Sequence, residues 1–158
     1  MPTETTVELT PEQWVERIHS IAPLVAQYRD EAESGRHLPM PVVQAMRDLD
    51  LFCTWMPKSL GGHELTIETS VIIMDELSRL DGSVGWNSMI SSNHSILWSH
   101  VAHDVAAEMT AGGRNIIAGT IGGGGDRNAP GGGVAIPVDG GYRITGKWAF
   151  ASGCHHAD

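Results

Sequence analysis

Cysteine, aromatic side chains and positive charge are all scarce in this sequence, and each scarcity removes a class of function. Of 158 residues only Cys53 and Cys154 are cysteines, far apart in the chain, so no disulfide framework is written into it. Lys and Arg number 10 against 19 Asp and Glu, a formal charge of −9. A surface of that sign repels phosphate backbones and anionic membranes, and no basic cluster offsets it locally. Nucleic acid and membrane are therefore excluded as expected partners. No apolar stretch is long enough to span a bilayer, and the opening Met1-Pro-Thr-Glu-Thr-Thr6 is neither basic nor apolar, so nothing reads as a signal peptide. The expected compartment is the cytoplasm, with reduced thiols. Asn93-His94-Ser95 matches a glycosylation sequon that has no meaning there.

What is present is a helical pattern followed by a change of texture. Residues 1–9 form a polar tail. Thr10-Pro11-Glu12-Gln13 combines an N-cap hydroxyl, Pro at the first helical position and Gln three residues after the cap. A helix follows, with Trp14, Ile18, Ile21, Leu24, Val25 and Tyr28 along one stripe, a possible kink at Pro23 and a stop at Gly35. A second helix over 42–51 points Val42, Val43, Met46, Leu49 and Leu51 inward. Pro57 and Gly61-Gly62 make the next stretch a loop. From Thr66 to Leu80 the stripe is Ile67, Val71, Met74, Leu77 and Leu80. Asp81-Gly82-Ser83 caps another helix, from about Val84 to Ser99, whose apolar line is Trp86, Met89, Ile90, Leu97 and Val101, with Asn93 and His94 on or beside it. Gly85, Ser88, Ser91, Ser92 and Ser95 make its surface small enough for close helix approach. A short helix at 104–109 ends the helical part.

Near 112–114 the texture turns to strands: 115–121, then a glycine-rich loop at 122–128, a strand over 133–138, and an Asp139-Gly-Gly141 hairpin turn. The last strand alternates. Tyr142, Ile144, Trp148, Phe150 and Ser152 share one face, and Arg143, Thr145 and Lys147 the other. Two rings beside a hydroxyl suit a flat ligand with a hydrogen-bonding edge. The plainer reading is a core strand whose Ser reaches the rim. The fold class is α+β: an all-α domain over 10–112, followed over 113–158 by the first antiparallel strands of an incomplete β-domain.

Several motifs fail on inspection. Gly122-Gly-Gly-Gly125 offers no register of the dinucleotide fingerprint opening a helix. Gly141 to Lys147 nearly copies a phosphate loop, but Trp148 stands where Ser or Thr must hold Mg²⁺. Cys154, His155, His156 and Asp158, like His100 and His103, are ligand types without a second cluster to complete a shell, and neighbouring histidines point apart. No metal is expected.

Gly140-Gly-Tyr-Arg-Ile-Thr-Gly-Lys-Trp-Ala-Phe-Ala-Ser-Gly153, followed by His155-His-Ala-Asp158, resembles the middle-domain strand of the acyl-CoA dehydrogenase superfamily. It is closest to the two-component, flavin-dependent monooxygenase branch. Leu38-Pro39, Val42-Val-Gln-Ala-Met-Arg-Asp48, Leu51-Phe52 and Gly61-Gly-His-Glu64 support the same resemblance, which spans about Pro11 to Asp158. It implies an enzyme that hydroxylates an aromatic or related small substrate using O2 and reduced FMN or FAD from a partner flavin reductase. It implies a homotetramer at full length and a chain longer than this one, which reads as an N-terminal fragment that is inactive alone.

By the same resemblance Thr120, with Gly119 beside it, and Phe150-Ala151-Ser152 contribute to the flavin site. His94 matches a histidine of the helical domain that meets the substrate hydroxyl, where an imidazole can orient a phenol or help it ionise. The plainer reading of His94 is a hydrogen-bonded core histidine. Dehydrogenases proper usually carry Trp in place of Phe150, and Thr-Glu-Pro then Gly-Ser-Asp where this chain has Thr120-Ile-Gly-Gly. That departure favours the monooxygenase branch. An acyl-CoA dehydrogenase-type FAD oxidoreductase and a truncated, non-catalytic module pairing through its sheet edge are the alternatives.

Overall fold

Thr10 opens the first helix as its surroundings predict, accepting from the Gln13 amide while its own amide donates to the Gln13 side chain; α1 is Pro11–Ser20. The computed structural model describes residues 8–110, 115–120, 133–148 and 150–158. The long first helix is cut twice. It breaks at Ile21 and resumes as α2 (Ala22–Gln27), with Pro23 in the first turn where no donor is missed. It breaks again at Tyr28 and continues as α3 (Arg29–Gly35). The apolar stripe survives the first break, since Trp14, Ile18, Ile21 and Val25 are all buried, whereas α3 buries no residue. The stop falls at Gly35, but the residue that takes the left-handed conformation is Arg36, at φ 54°.

α4 (Met40–Asp48) buries Val42, Val43 and Met46, and Leu51 and Phe52 follow them into the same core. The predicted loop contains one 3₁₀ turn, Lys58–Leu60. α5 (Ile67–Leu80) is capped by Thr66, and α6 (Gly82–Ser95) by Asp81, whose carboxylate accepts from the Ser83 amide at 2.8 Å. A 3₁₀ turn, Ile96–His100, leads to α7 (His103–Met109). Among the described residues no helix is long and apolar enough to cross a membrane.

The inward faces of α5 and α6 differ from the expected ones. α5 buries Ser70, Ile73 and Leu77 and leaves Ile67 and Val71 exposed. On α6 the expected apolar line includes exposed Trp86, Leu97 and Val101, whereas the buried side is Val84, Gly85, Ser88, Ser91, Ser92, His94 and Ser95. The reason lies in what α6 packs against. Its serine face meets the backbone of 51–54, whose carbonyls need donors once buried. Ser88 Oγ donates to the Leu51 carbonyl at 2.5 Å, Ser91 Oγ to the Phe52 carbonyl at 3.0 Å, and Thr54 Oγ1 donates to Ser92 Oγ at 2.8 Å. Methyl groups could not do this. Close approach is also real: a Cβ on Gly85 would overlap Ser78 of α5.

β1 (Gly133–Val138) and β2 (Gly141–Gly146) pair antiparallel, from Gly133 opposite Gly146 to Val138 opposite Gly141. Asp139-Gly140 makes the turn, with Gly140 at φ 77°. The α+β class is as expected, but two strand assignments change. Residues 115–120 form no strand: a strand needs a ladder, and among the described residues the backbone partner here is Asp158 alone, whose amide donates to the Ile116 carbonyl at 3.1 Å. The aromatic strand stops at Gly146 instead of running to Ser152; Phe150 takes φ 63°, which no strand accommodates. The 122–128 loop and the 112–114 boundary lie outside the described residues.

Ser91→Ala would leave the Phe52 carbonyl and the Ile117 amide, which donates to Ser91 Oγ at 3.0 Å, without partners inside the protein. The expected loss of stability is about 1–3 kcal/mol by urea denaturation. Ser99→Ala, at an exposed hydroxyl, should change it by less than about 0.5 kcal/mol.

Candidate functional site

The last turn of α6 carries His94, 7% exposed. Its Nδ1 lies 2.8 Å from the Ile90 carbonyl. A carbonyl only accepts, so Nδ1 carries the hydrogen, and in the neutral ring Nε2 is left as an acceptor. That Nε2 is buried and has no hydrogen-bond partner among the described residues. A buried acceptor without a donor is destabilising by about 1–3 kcal/mol, so a donor brought to this atom would be stabilising.

Residues 115–120 run against this edge of the ring. Ile116 is anchored in the core and the Ile117 amide is tied to Ser91, so Gly119 arrives beside the imidazole. A Cβ there would sit 3.1 Å from Cδ2 and 3.3 Å from Nε2 of His94. A side chain at this position would crowd that edge of the ring, and glycine leaves it less obstructed. Thr120 follows, half-buried.

The final segment returns to the same place. The Asp158 carboxylate accepts from the Ile116 amide at 2.8 Å and from Arg47 Nη2 of α4 at 3.1 and 3.2 Å. Its spacing with Cys154 and the two histidines suggested a ligand type. In the fold it is a clasp between helix and strand-like segments. Gly153, at φ 82°, passes α6 so closely that a Cβ would lie 3.2 Å from Asn87 Oδ1. His155 and His156 lie 5.8 and 6.0 Å from the His37 ring.

Of the residues singled out in the sequence, the structure brings His94 and Gly119 into contact. Thr120 and Ser152 are half-buried, and Phe150 is 90% exposed, its ring packed against nothing that buries it. Sequence reasoning missed Arg47 and Asn87. The signal for Arg47 was present as an unmatched charge beside the apolar face of α4; for Asn87 there was none, because its role depends on the distant Gly153.

The family model for the acyl-CoA dehydrogenase N-terminal domain matches residues 12–109, the whole helical part up to α7. This chain belongs to the acyl-CoA dehydrogenase family. Within that family it is similar to the oxygenase component of an FADH2-dependent resorcinol hydroxylase from Rhizobium sp., 30% identical over 144 residues, covering 90% of this chain and 33% of the relative. The flavin-dependent monooxygenase oxygenase subunit HsaA of Mycobacterium tuberculosis is 30% identical over 137 residues, covering 85% of this chain and 33% of the relative. Among solved structures, XiaF from Streptomyces sp., in complex with FADH2 and glycerol, matches with a TM-score of 0.81 at 28% identity, over 94% of this chain and 36% of that one. The chain spans about a third of the length of the relatives it matches.

In this family member the closing segment also carries a pH-sensitive group. Burial, and then the neighbouring His37 and His155, hold the His156 imidazole below its ordinary proton affinity. The unfolded chain therefore binds this proton more readily than the folded one, so the contribution of His156 to stability is complete at high pH and lost as pH falls below the ordinary imidazole range of about 6.5. Urea denaturation between pH 8 and 5 (about the range in which imidazoles titrate) should show stability falling toward acid, with a shallower slope in His156→Gln.

Proposed function

We propose that this chain is the N-terminal part of a flavin-dependent monooxygenase that hydroxylates a phenol-like aromatic substrate, using O2 and reduced flavin delivered by a separate reductase. The observation that carries this reading is the buried Nε2 of His94, unpartnered among the described residues, with Gly119 beside it. An acceptor in that position is matched by a substrate O–H, and a site built around a hydroxyl strongly disfavours analogues that lack one. The named relatives support the same chemistry, since the resorcinol hydroxylase component and HsaA are both oxygenases and XiaF is seen with FADH2.

Reduced flavin supplies the electrons that make oxygen reactive. The protein's part is to bind and orient. In this reading Gly119 and Thr120 offer backbone and hydroxyl groups to the polar edge of the flavin, Ser152 addresses it from the closing segment, and exposed Phe150 is available to lie against its ring system. His94 takes a hydrogen bond, and in the limit the proton, from the substrate hydroxyl, raising the electron density of the ring that is to be oxidised. The Asp158 clasp ties the 115–120 segment and the closing segment to α4, which limits how far either can move when a ligand arrives.

Reduced FAD is favoured over FMN by the FADH2 named for both the resorcinol hydroxylase and XiaF. The proposed setting is a cytoplasmic homotetramer, with a helical domain over 10–112 and the start of a β-domain over 113–158. Exposed Ile67, Val71, Trp86 and Leu97 support an assembly larger than this chain alone.

The test uses the oxygenase containing this domain, mixed anaerobically with reduced FAD and then with oxygen and a phenol. His94→Ala should slow hydroxylation by about 10²- to 10⁴-fold while leaving the affinity for reduced FAD within a few-fold. Equal loss of both would assign His94 a structural role and remove the main support for the proposal.

A further inference from the structure

The structure assigns a second candidate site, distinct from the His94 corner: Asp50, Cys53 and His63, which we infer bind a divalent ion of the zinc class. One ligand atom from each, a carboxylate oxygen, the thiol sulfur and an imidazole nitrogen, lie within 4.8 Å of one another. His63 Nε2 is 3.5 Å from Asp50 Oδ2, and Cys53 Sγ is 3.4 Å from the Asp50 carbonyl. Cys53 is 1% and His63 8% exposed. Oxygen, sulfur and nitrogen donors together suit zinc, whereas magnesium and calcium take oxygen alone.

The backbone holds these donors in place. Asp50 and Cys53 sit on one turn, with the Cys53 amide bonded to the Asp50 carbonyl and Asp50 at φ 60°, a conformation uncommon for a residue with a side chain. His63 is ten positions further on in the sequence. It is brought back by its own amide, which donates to the Cys53 carbonyl at 3.5 Å, and by the amides of Glu64 and Leu65, which bond to Met56 and Thr54. Its ring is fixed edge-on to Trp14, with centroids 5.0 Å apart. Zinc bonds of about 2.0–2.3 Å set neighbouring donors about 3.5 Å apart, so small side-chain rotations contract the cluster onto an ion. The thiol gives up its proton to solvent as the sulfur binds, and water completes the four-coordinate shell.

Such an ion would stiffen the 50–63 loop, whose carbonyls at Leu51 and Phe52 receive the serine face of α6. Its role is to set the platform on which the helix bearing His94 rests, and its existence does not depend on the flavin reading.

Cobalt(II) is the probe. Added to chelator-stripped protein, it should give a thiolate-to-cobalt charge-transfer band that saturates at one equivalent per chain, is displaced by zinc, and persists in Cys154→Ser, which removes the exposed thiol. Cys53→Ala should abolish the band, and His63→Asn should weaken binding by more than about a hundredfold, beyond what loss of an outer-shell partner causes. Should either variant fail to fold, the wild type decides alone: zinc must raise its melting temperature and protect Cys53 from alkylation. No band in the wild type, a band that survives in Cys53→Ala, or one lost in Cys154→Ser would each overturn the site.

Discussion

The hydroxyls of α6 donating into the backbone of residues 51–54 are the contact on which the remaining geometry rests. Helix packing in globular proteins is ordinarily apolar, and the buried face of α6 is mostly serine. What makes this workable is that the opposing surface is neither helix nor sheet but a turn with unspent carbonyls. Ser88 and Ser91 satisfy two of them, Ser92 takes the Thr54 hydroxyl, and Ser91 has capacity left to accept from Ile117. One serine thus joins α6, the 51–54 turn and the 115–120 segment. The position of Gly119 against His94 follows from that junction.

The C-terminal clasp completes the arrangement from the other side. Asp158 bridges Arg47 of α4 to the amide of Ile116, so a charge on the helical domain is neutralised by the residue that also pairs with the strand-like segment. Both partners are partly screened by protein, which makes the pair stronger than an exposed one, and the carboxylate still has capacity to accept from the Ile116 amide. Three segments distant in sequence therefore meet at one place, each held by polar contacts that compete with water.

Much of the helical domain was legible in the sequence, and the exceptions have a common cause. The capping box at Thr10, the caps at Thr66 and Asp81, the buried face of α4 and the hairpin at Asp139-Gly140 depend on neighbours within a few residues, and periodicity or turn chemistry reports them. The faces of α5 and α6 do not. Ile67, Val71, Trp86 and Leu97 form regular apolar lines, yet they face outward; on α6 the inward side is chosen by the 51–54 turn, distant in sequence, which requires donors. A hydrophobicity pattern cannot register that requirement. At the site, the residues His94 and Gly119 stood out separately, but their contact, the Nε2 without a partner among the described residues and the Arg47–Asp158 bridge were products of tertiary structure. The end of the aromatic strand at Gly146 was hidden as well: alternation marks which residues could line a face, not the positive φ at Phe150 that takes the chain out of a strand.

Building a helix contact from hydroxyls also sets how it responds to temperature. Exposing apolar surface raises the heat capacity of unfolding and exposing polar surface lowers it, so the α6 seam adds little to the curvature of the stability curve. The apolar cluster around Trp14, Met46 and Leu77 loses driving force on cooling, whereas the serine seam does not. Near freezing, the region carrying the His94 corner is held by the bonds least weakened by cold.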